Sequence, residues 1–190
     1  QDRQKYLTRL LRITKDEFRI LRSVYDSQIA YIDFRIGELL RFLDMNEFFE
    51  NAIVVITSDH GDMIGEHDLM HHSYSVYDEL IRVPLILFLP DRRGQGKRIE
   101  DMVSTIDLPK TLIDLMGIED RSFQDQQQGK DLPISSNRAP RDYIYSECER
   151  PKNEFPDTYP DFDFSVYDRQ LLTIRSRDHK FLWSSDARYE

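Results

Sequence analysis

Residues 52–57 read Ala52-Ile53-Val54-Val55-Ile56-Thr57, and this apolar, β-branched run predicts a strand that is buried on both faces. A second apolar run, from Pro84 to Leu89, predicts another buried strand. A polar segment that contains glycines and most of the histidines of the chain separates the two runs. The fold and the candidate site therefore depend on the same part of the sequence.

Helices are predicted on both sides of these strands. Thr14 and Glu17 have the spacing of a capping box, in which each side chain satisfies a backbone N–H at the helix start. Apolar residues then recur at intervals of three and four, which predicts a long amphipathic helix over about 15–45. A second helix is predicted over 104–115, with Asp107 as its N-cap. This order of elements predicts an α/β layered fold: a helix, a buried strand, a loop, a second buried strand and a helix.

The C-terminal part of the chain has a different pattern. Its short strand-like runs lie at 142–146, 171–175 and 180–183. Arg177-Asp178-His179 has the composition of a hairpin turn between the last two runs. We therefore expect a small antiparallel sheet, and we divide the chain into an α/β portion over residues 1–120 and a small C-terminal subdomain over residues 121–190.

The composition argues against several classes of function. The 190 residues include 26 Lys and Arg against 35 Asp and Glu, which gives a formal net charge of −9. This excess of negative charge argues against nucleic-acid binding and against attachment to an anionic membrane. The single cysteine, Cys148, excludes an internal disulfide, and the acids beside it argue against a nucleophilic thiol.

The first residues, Gln1-Asp2, contain neither a methionine nor a signal-peptide pattern, so we expect that the natural translation start lies upstream. No apolar run reaches the ~18–20 residues that cross a bilayer. The sequence leaves the localisation open and favours the cytoplasm.

Four of the five histidines lie between residues 59 and 72, together with four acids. They are His60, His67, His71 and His72, and the acids are Asp59, Asp62, Glu66 and Asp68. The strand that ends at Thr57 leads directly into this segment, and ligands of open α/β sheets bind beyond the carboxyl ends of strands. The segment is therefore the candidate metal or catalytic site.

Asp59 and His60 are the strongest candidates for holding a metal, since carboxylate oxygen and imidazole nitrogen are common ligands of divalent ions. A six-coordinate ion needs further oxygens from elsewhere. The alternative interpretation is that Asp59 caps a turn, beside a histidine that is bonded to the backbone.

The other residues of the segment allow several interpretations. His67 and His71 have the spacing of a helical zinc pair, but the glutamate of that motif is absent, and nearby glycines favour a loop. Asp62, Glu66 and His67 either position the ligands or are solvated loop residues.

Five motifs occur in a fixed order along the chain. They are Thr57-Ser58-Asp59-His60-Gly61-Asp62, Gly65-Glu66-His67, Tyr77-Asp78-Glu79, Arg82-Val83-Pro84-Leu85-Ile86 and Ile106-Asp107-Leu108-Pro109-Lys110-Thr111-Leu112-Ile113-Asp114-Leu115-Met116-Gly117-Ile118. Their order and spacing resemble those of the sulfatases of the alkaline phosphatase superfamily, from about Tyr31 to the C-terminus. The resemblance implies part of the layered sheet with helices of that superfamily, with residues 1–120 as the C-terminal portion of the α/β sulfatase domain.

The resemblance also implies a mechanism. Such enzymes hydrolyse sulfate monoesters with one divalent metal, often calcium, and a formylglycine made from Cys or Ser. Asp59 and His60 match two ligands of that metal, and the histidine leaves manganese or zinc as alternatives to calcium. His72 matches the position of a Lys or His that contacts the sulfate or leaving-group oxygen, which implies a catalytic and substrate-binding role. His71 is the alternative for substrate binding, and a solvent-facing loop imidazole is the other interpretation of His72.

Two features of the family are absent from this sequence. It contains no Cys or Ser followed by x-Pro-x-Arg, and the early pair of metal-binding aspartates is missing. We therefore expect the C-terminal part of a sulfatase, inactive alone, with the formylglycine and the remaining ligands supplied by an N-terminal part. Exposed sheet edges in such a part predict self-association into a homo-oligomer.

Three functions follow from the resemblance. The first is hydrolysis of a small-molecule sulfate ester, without a nucleic-acid or membrane partner. The second is hydrolysis of phosphonate or phosphate esters by an enzyme of the same superfamily. The third is a non-catalytic module that has kept the fold. The nucleophile distinguishes the first two, because formylglycine favours sulfate esters and a plain Ser or Thr favours phosphoryl transfer.

Overall fold

The chain divides into two compact units in a computed structural model. The first unit comprises residues 1–92 and 148–171, and the second comprises residues 93–147 and 172–190. The structure describes residues 2–72, 74–134, 141–149 and 161–187. The predicted division into an α/β portion over residues 1–120 and a C-terminal subdomain over residues 121–190 stays a prediction.

The described residues form five α-helices and seven strands. The helices are α1 (Asp2–Leu7), α2 (Lys15–Met45), α3 (Asp78–Ile81), α4 (Asp107–Met116) and α5 (Arg121–Gln126). The strands are β1 (Val54–Thr57), β2 (Met63–Ile64), β3 (Met70–His71), β4 (Leu85–Phe88), β5 (Ile144–Cys148), β6 (Leu171–Arg175) and β7 (Lys180–Ser184). Single 3₁₀ turns lie at Phe48–Glu50, Glu66–Asp68 and Phe164–Val166.

The long helix α2 confirms the prediction over 15–45. Its capping box is present, because the Glu17 N–H donates to Thr14 Oγ1 and the Thr14 N–H donates to Glu17 Oε2 at 2.7 Å. All of α2 is described, and none of its residues is buried. Large apolar side chains such as Tyr31 and Phe34 are more than half exposed. The amphipathic pattern thus specifies the helix, while the described residues leave most of its apolar face uncovered.

Strands β1 and β4 pair antiparallel, with Val54 opposite Phe88 and Thr57 opposite Leu85. The ring of Phe49 packs on that of Phe88, with centroids 4.3 Å apart. The prediction that both strands are buried on both faces is wrong for this chain, since no residue of either strand is buried and Ile86 is 57% exposed. The physical reason is that, among the described residues, these two strands form a sheet of their own with no third strand beside them.

The core of the first unit includes two residues of the histidine-rich segment, Met63 and Leu69. Its buried members are Leu7, Met63, Leu69, Tyr74 and Leu80. The side chain of Met63 is almost fully buried, so β2 is anchored by burial of its first residue. The Tyr167 hydroxyl donates to the backbone oxygen of Leu7 at 3.2 Å and ties a later part of the chain to this core.

In the second unit, helix α4 begins at Asp107, which corrects its predicted role as N-cap. Ile106 occupies the N-cap position. The Asp107 carboxyl instead bonds residues that come later in the chain, Lys130 and Arg141. This carboxyl is completely buried and accepts hydrogen bonds from the Arg141 guanidinium and from the N–H groups of Ser104 and Lys130. Burial by itself raises the pKa of Asp107, but these bonds outweigh it and hold the pKa below its ordinary value.

The C-terminal strands confirm the predicted small antiparallel sheet. Its strand order is β5-β6-β7, and β6 covers the same residues as predicted. The turn predicted at 177–179 is present, since the Ser176 N–H donates to the backbone oxygen of His179 at 2.8 Å. Helix α5 was not predicted, because its polar residues carry no apolar periodicity.

Candidate functional site

The backbone after β1 is held in place by contacts that require its small residues. Thr57 Oγ1 donates to the backbone oxygen of Pro84 at 2.8 Å, which ties the end of β1 to the start of β4. The Gly61 N–H donates to the backbone oxygen of Leu80 at 2.8 Å. A Cβ at Gly61 would lie 2.0 Å from the backbone oxygen of Glu79, so only glycine fits here.

The next segment is a hairpin whose register brings two candidate groups together. In the β2–β3 pair, Met63 lies opposite His71. One step further out, this register sets Asp62 across from His72, whose Nδ1 lies 3.2 Å from Asp62 Oδ1. At Gly65, with φ of +95°, a Cβ would lie 2.5 Å from the ring of Phe18. The hairpin and α2 therefore pack closely at this glycine.

The same segment contains unusual backbone conformations. His67, Asp68, His71 and Tyr74 all have positive φ, between 53° and 68°. Side chains other than glycine rarely adopt this region, and each instance costs on the order of 1 kcal/mol or more. Such residues concentrate at functional sites, where the surrounding structure holds them. Their density here supports a functional interpretation of the segment.

Asp59 and His60, the predicted metal ligands, contact each other. Asp59 Oδ1 accepts the His60 N–H at 2.9 Å, and Asp59 Oδ2 lies 3.6 Å from His60 Nε2. The N–H bond from His60 and the nearby imidazole lower the pKa of Asp59, so the carboxyl stays ionised. His60 Nδ1 lies 2.9 Å from the backbone oxygen of Gly61. The local bonds of the turn-capping alternative are thus present, while the Asp59 side chain remains 85% exposed.

Three groups of the types that commonly ligate metals converge at the open end of the hairpin. One ligand atom each from His60, Asp62 and His72 lies within 4.8 Å of the other two. The two imidazoles are stacked, with centroids 4.3 Å apart and planes at 26°. Asp62 was only a candidate for positioning in the sequence, because the strand register that opposes it to His72 cannot be deduced from spacing.

His71 lies beside this group without joining it. Its ring is 6.1 Å from that of His72 and nearly perpendicular to it. His71 is exposed and ends β3 with a positive φ. Of the two predicted substrate-binding residues, His72 is therefore the one that contacts Asp62 and His60.

The remaining histidine and glutamate of the segment have structural contacts. His67 stacks on Tyr77 with centroids 3.6 Å apart, and its left-handed φ excludes a helical pair with His71. Glu66 Oε2 accepts the Ile64 N–H at 2.6 Å, and Oε1 accepts from Arg22 at 2.7 Å. Burial alone raises the pKa of Glu66, but these bonds lower it overall. Glu66 therefore braces the hairpin against α2.

Comparisons with known proteins bear on this segment. A family model described as Sulfatase matches residues 6–118, which include the whole hairpin. The arylsulfatase of Clostridium perfringens is 31% identical over 141 residues, which cover 71% of this chain and 28% of that protein. Human arylsulfatase K is 31% identical over 107 residues, which cover 56% of this chain and 20% of that protein. Mouse iduronate 2-sulfatase is 29% identical over an alignment of 215 residues, which covers 89% of this chain and 38% of that protein. The chain thus spans about a fifth to two fifths of the length of these relatives.

Solved structures of similar proteins extend the comparison to the fold. A phosphonate monoester hydrolase from Silicibacter pomeroyi has a TM-score of 0.76 at 25% identity, covering 95% of this chain and 35% of that one. BT1596, a 2-O GAG sulfatase, has a TM-score of 0.72 at 22% identity, covering 90% and 35%, which supports the fold alone. The predicted fold class is therefore confirmed. Within the described residues, no helix combines the length and apolar character needed to cross a membrane.

Proposed function

The chain belongs to the sulfatase family, and from this we propose that it is the C-terminal part of an enzyme that hydrolyses small-molecule sulfate monoesters. The observation that carries the proposal is the convergence of one carboxyl and two imidazole groups at the open end of the β2–β3 hairpin, within the matched range.

We propose that Asp59 and His60 hold a divalent metal, with calcium first and manganese or zinc as alternatives. The fit rests on the ionised Asp59 carboxylate, which is largely exposed and lies against the imidazole of His60. Calcium takes six to eight oxygen ligands, so ligands beyond Asp59 and His60 are required. When bound, the metal would polarise the ester oxygens and stabilise their developing negative charge.

His72 is proposed as the group that contacts the sulfate or leaving-group oxygen. The Asp62 carboxylate accepts from Nδ1–H and orients the imidazole, and in the imidazolium form of the ring Nε2–H donates to a substrate oxygen. His71 remains the alternative donor, since its exposed ring lies next to that of His72. The formylglycine nucleophile is proposed to come from outside this chain, which makes the chain inactive by itself.

A second candidate is the hydrolysis of phosphonate or phosphate esters. The similarity to the phosphonate monoester hydrolase over nearly the whole chain favours it. The same metal-binding and anion-binding groups would serve both reactions, because sulfate and phosphonate esters both develop negative charge on their oxygens. A comparison of substrates distinguishes the two candidates.

The test is an assay of the longest polypeptide that contains this chain, with 4-nitrophenyl sulfate, 4-nitrophenyl phosphate and a phenylphosphonate ester. We expect sulfate turnover to dominate and Asp59→Asn to lower it by more than about a hundredfold, since even outer partners of a metal cost 10–100-fold. Asp68→Asn is the matched control, because it changes an exposed acid of the same segment. Dominant turnover of a phosphorus ester would establish the second candidate, and no turnover with no bound metal would indicate a non-catalytic module.

We also propose that the isolated chain self-associates into a homo-oligomer. Strands β1 and β4 form a sheet of two among the described residues, and the apolar face of α2 is largely exposed. Light scattering is expected to give a mass above that of one chain, and a monodisperse monomer would contradict this proposal.

A further inference from the structure

We propose that the basic loop of residues 92–98 binds a sulfated polysaccharide. The loop reads Arg92-Arg93-Gly94-Gln95-Gly96-Lys97-Arg98 and carries four cations and no acid, in a chain whose formal net charge is −9. Short runs rich in Lys and Arg are typical of surfaces that bind heparin-like polymers or nucleic acids. The choice of a sulfated polymer rests on the proposed hydrolysis of sulfate esters, whereas binding by the loop does not require turnover.

The loop starts at the opposite end of a strand pair from the histidine-rich segment. Strand β4 ends at Phe88, which pairs with Val54 at the start of β1. The histidine-rich segment follows the other end of β1. The four residues of β4 separate the two ends by about 10 Å of extended chain. Arg92 therefore belongs to a surface apart from the candidate metal and substrate ligands.

The cations of the loop are displayed to solvent. Every residue from 91 to 100 is exposed. A Cβ placed at Gly94 or Gly96 would have no atom within 4 Å apart from its chain neighbours. A turn holds the middle of the loop, because the Lys97 N–H donates to the backbone oxygen of Gly94 at 3.0 Å. A long polymer can therefore approach the loop without displacing packed side chains.

The ion pair at the end of the loop is weak enough to be replaced by a ligand. Arg98 Nε lies 3.0 Å from Glu100 Oε1, but the two side chains are 87% and 71% exposed. Exposed pairs of this kind contribute little, because water screens them. A sulfate group offers the guanidinium several oxygens in place of this single carboxylate contact. The flanking acids, Asp91, Glu100 and Asp101, limit the cationic surface to the loop itself.

The composition of the loop favours a sulfated polysaccharide over a nucleic acid. Proteins that bind single-stranded nucleic acid combine cations with aromatic side chains on which the bases stack. No aromatic residue occurs between residues 91 and 101, so this segment offers charge and hydrogen bonds without a stacking surface. Sulfate groups on a sugar chain require only these, and the paired N–H donors of arginine suit oxyanions.

The experiment is a calorimetric titration of this chain with heparin at several salt concentrations. Four ionic contacts imply a loss of affinity on the order of a hundredfold between 50 and 200 mM salt, through counterion release. For Arg92→Gln combined with Lys97→Gln, we expect binding at least about tenfold weaker and a salt effect of only about tenfold. Arg12→Gln combined with Lys15→Gln is the matched control, since it removes one exposed Arg and one exposed Lys outside the loop. This control should bind heparin like the unchanged chain.

Several results would overturn the proposal. Absence of heparin binding at 50 mM salt, or equal weakening in the two double variants, would show that the loop is not the binding surface. Undiminished binding of fully desulfated heparin would show that sulfate groups are not recognised. Tighter binding of double-stranded DNA than of heparin would assign the loop to nucleic acid. Circular dichroism checks that both double variants fold like the unchanged chain.

A separate assay distinguishes this proposal from the proposed function. In the longest polypeptide that contains this chain, the loop variant should hydrolyse 4-nitrophenyl sulfate like the unchanged protein, since neither changed residue belongs to the histidine-rich segment. Heparin binding without turnover of any sulfate ester would contradict the proposed function and leave the role of the loop standing. Turnover of the small ester without heparin binding would overturn the role of the loop alone.

Discussion

Asp59 and Asp107 show two opposite ways of using a carboxylate. Asp59 is 85% exposed, and its bonds are with the neighbouring His60 and Ser58. Asp107 is completely buried, and Arg141 and two backbone N–H groups bond its oxygens. Both carboxyls have a lowered pKa, so ionisation alone does not distinguish them. Burial and the number of hydrogen-bond partners distinguish the two carboxyls. A buried and fully bonded carboxylate stabilises a fold, whereas an exposed carboxylate is available to a ligand.

The largest expected effect comes from breaking the buried pair. Arg141→Ala leaves the Asp107 carboxylate buried without its cation, which costs about 3–5 kcal/mol in the free energy of unfolding. Urea denaturation measures this cost. Arg19→Ala is the control, since its exposed pair with Asp16 contributes less than about 1 kcal/mol. Equal losses in the two variants would mean that burial does not separate structural from functional carboxylates here.

The next effect tests how tightly the site backbone is held. Gly61→Ala places a Cβ against the Glu79 backbone oxygen and should destabilise the chain by about 1–3 kcal/mol through local displacement. Gly37→Ala is the matched control inside α2, where the nearest atom lies 3.6 Å away on a flexible arginine. That change should stabilise the helix by up to about 1 kcal/mol, since alanine favours helices over glycine. Thermal unfolding of both variants should therefore shift in opposite directions, and a shared direction would refute the close contact.

A pH series sharpens the comparison for Asp107. Because the folded-state pKa is lowered, its contribution to stability is fully present above the unfolded value of about 3.9. The contribution is lost as the pH falls through the folded-state pKa. Stability from pH 6 to pH 2.5 should fall less steeply below pH 4 in Asp107→Asn than in the unchanged chain. Parallel curves would show that Asp107 has an ordinary pKa in the folded state.

The smallest effect concerns the brace between α2 and the hairpin. Arg22 is about half exposed, so its pair with Glu66 should contribute less than about 1 kcal/mol. A double-mutant cycle of Arg22→Ala and Glu66→Gln measures this coupling. A coupling above about 2 kcal/mol would mean that the hairpin depends on this pair more than on the burial of Met63.

The sequence predicted the features that depend on local pattern. The start and end of α2 follow from the Thr14–Glu17 box and apolar periodicity, and the strand at 171–175 follows from its composition. The remaining features depend on contacts between residues that are distant in sequence, which the sequence pattern did not predict. Asp107 has the residue type of an N-cap, but Arg141, distant in sequence, determines where its carboxyl lies. The contact of Asp62 with His72 depends on the register of β2 and β3, which spacing does not reveal.

The proposal that Asp59 holds a catalytic metal is tested most directly by restoring activity after chelation. The longest polypeptide containing this chain is stripped with a chelator and assayed with 4-nitrophenyl sulfate as calcium, manganese or zinc is added back. We predict that one of these ions restores turnover in the unchanged protein and none does so in Asp59→Asn. Full turnover without any added ion, or equal restoration in Asp59→Asn, would contradict the assignment.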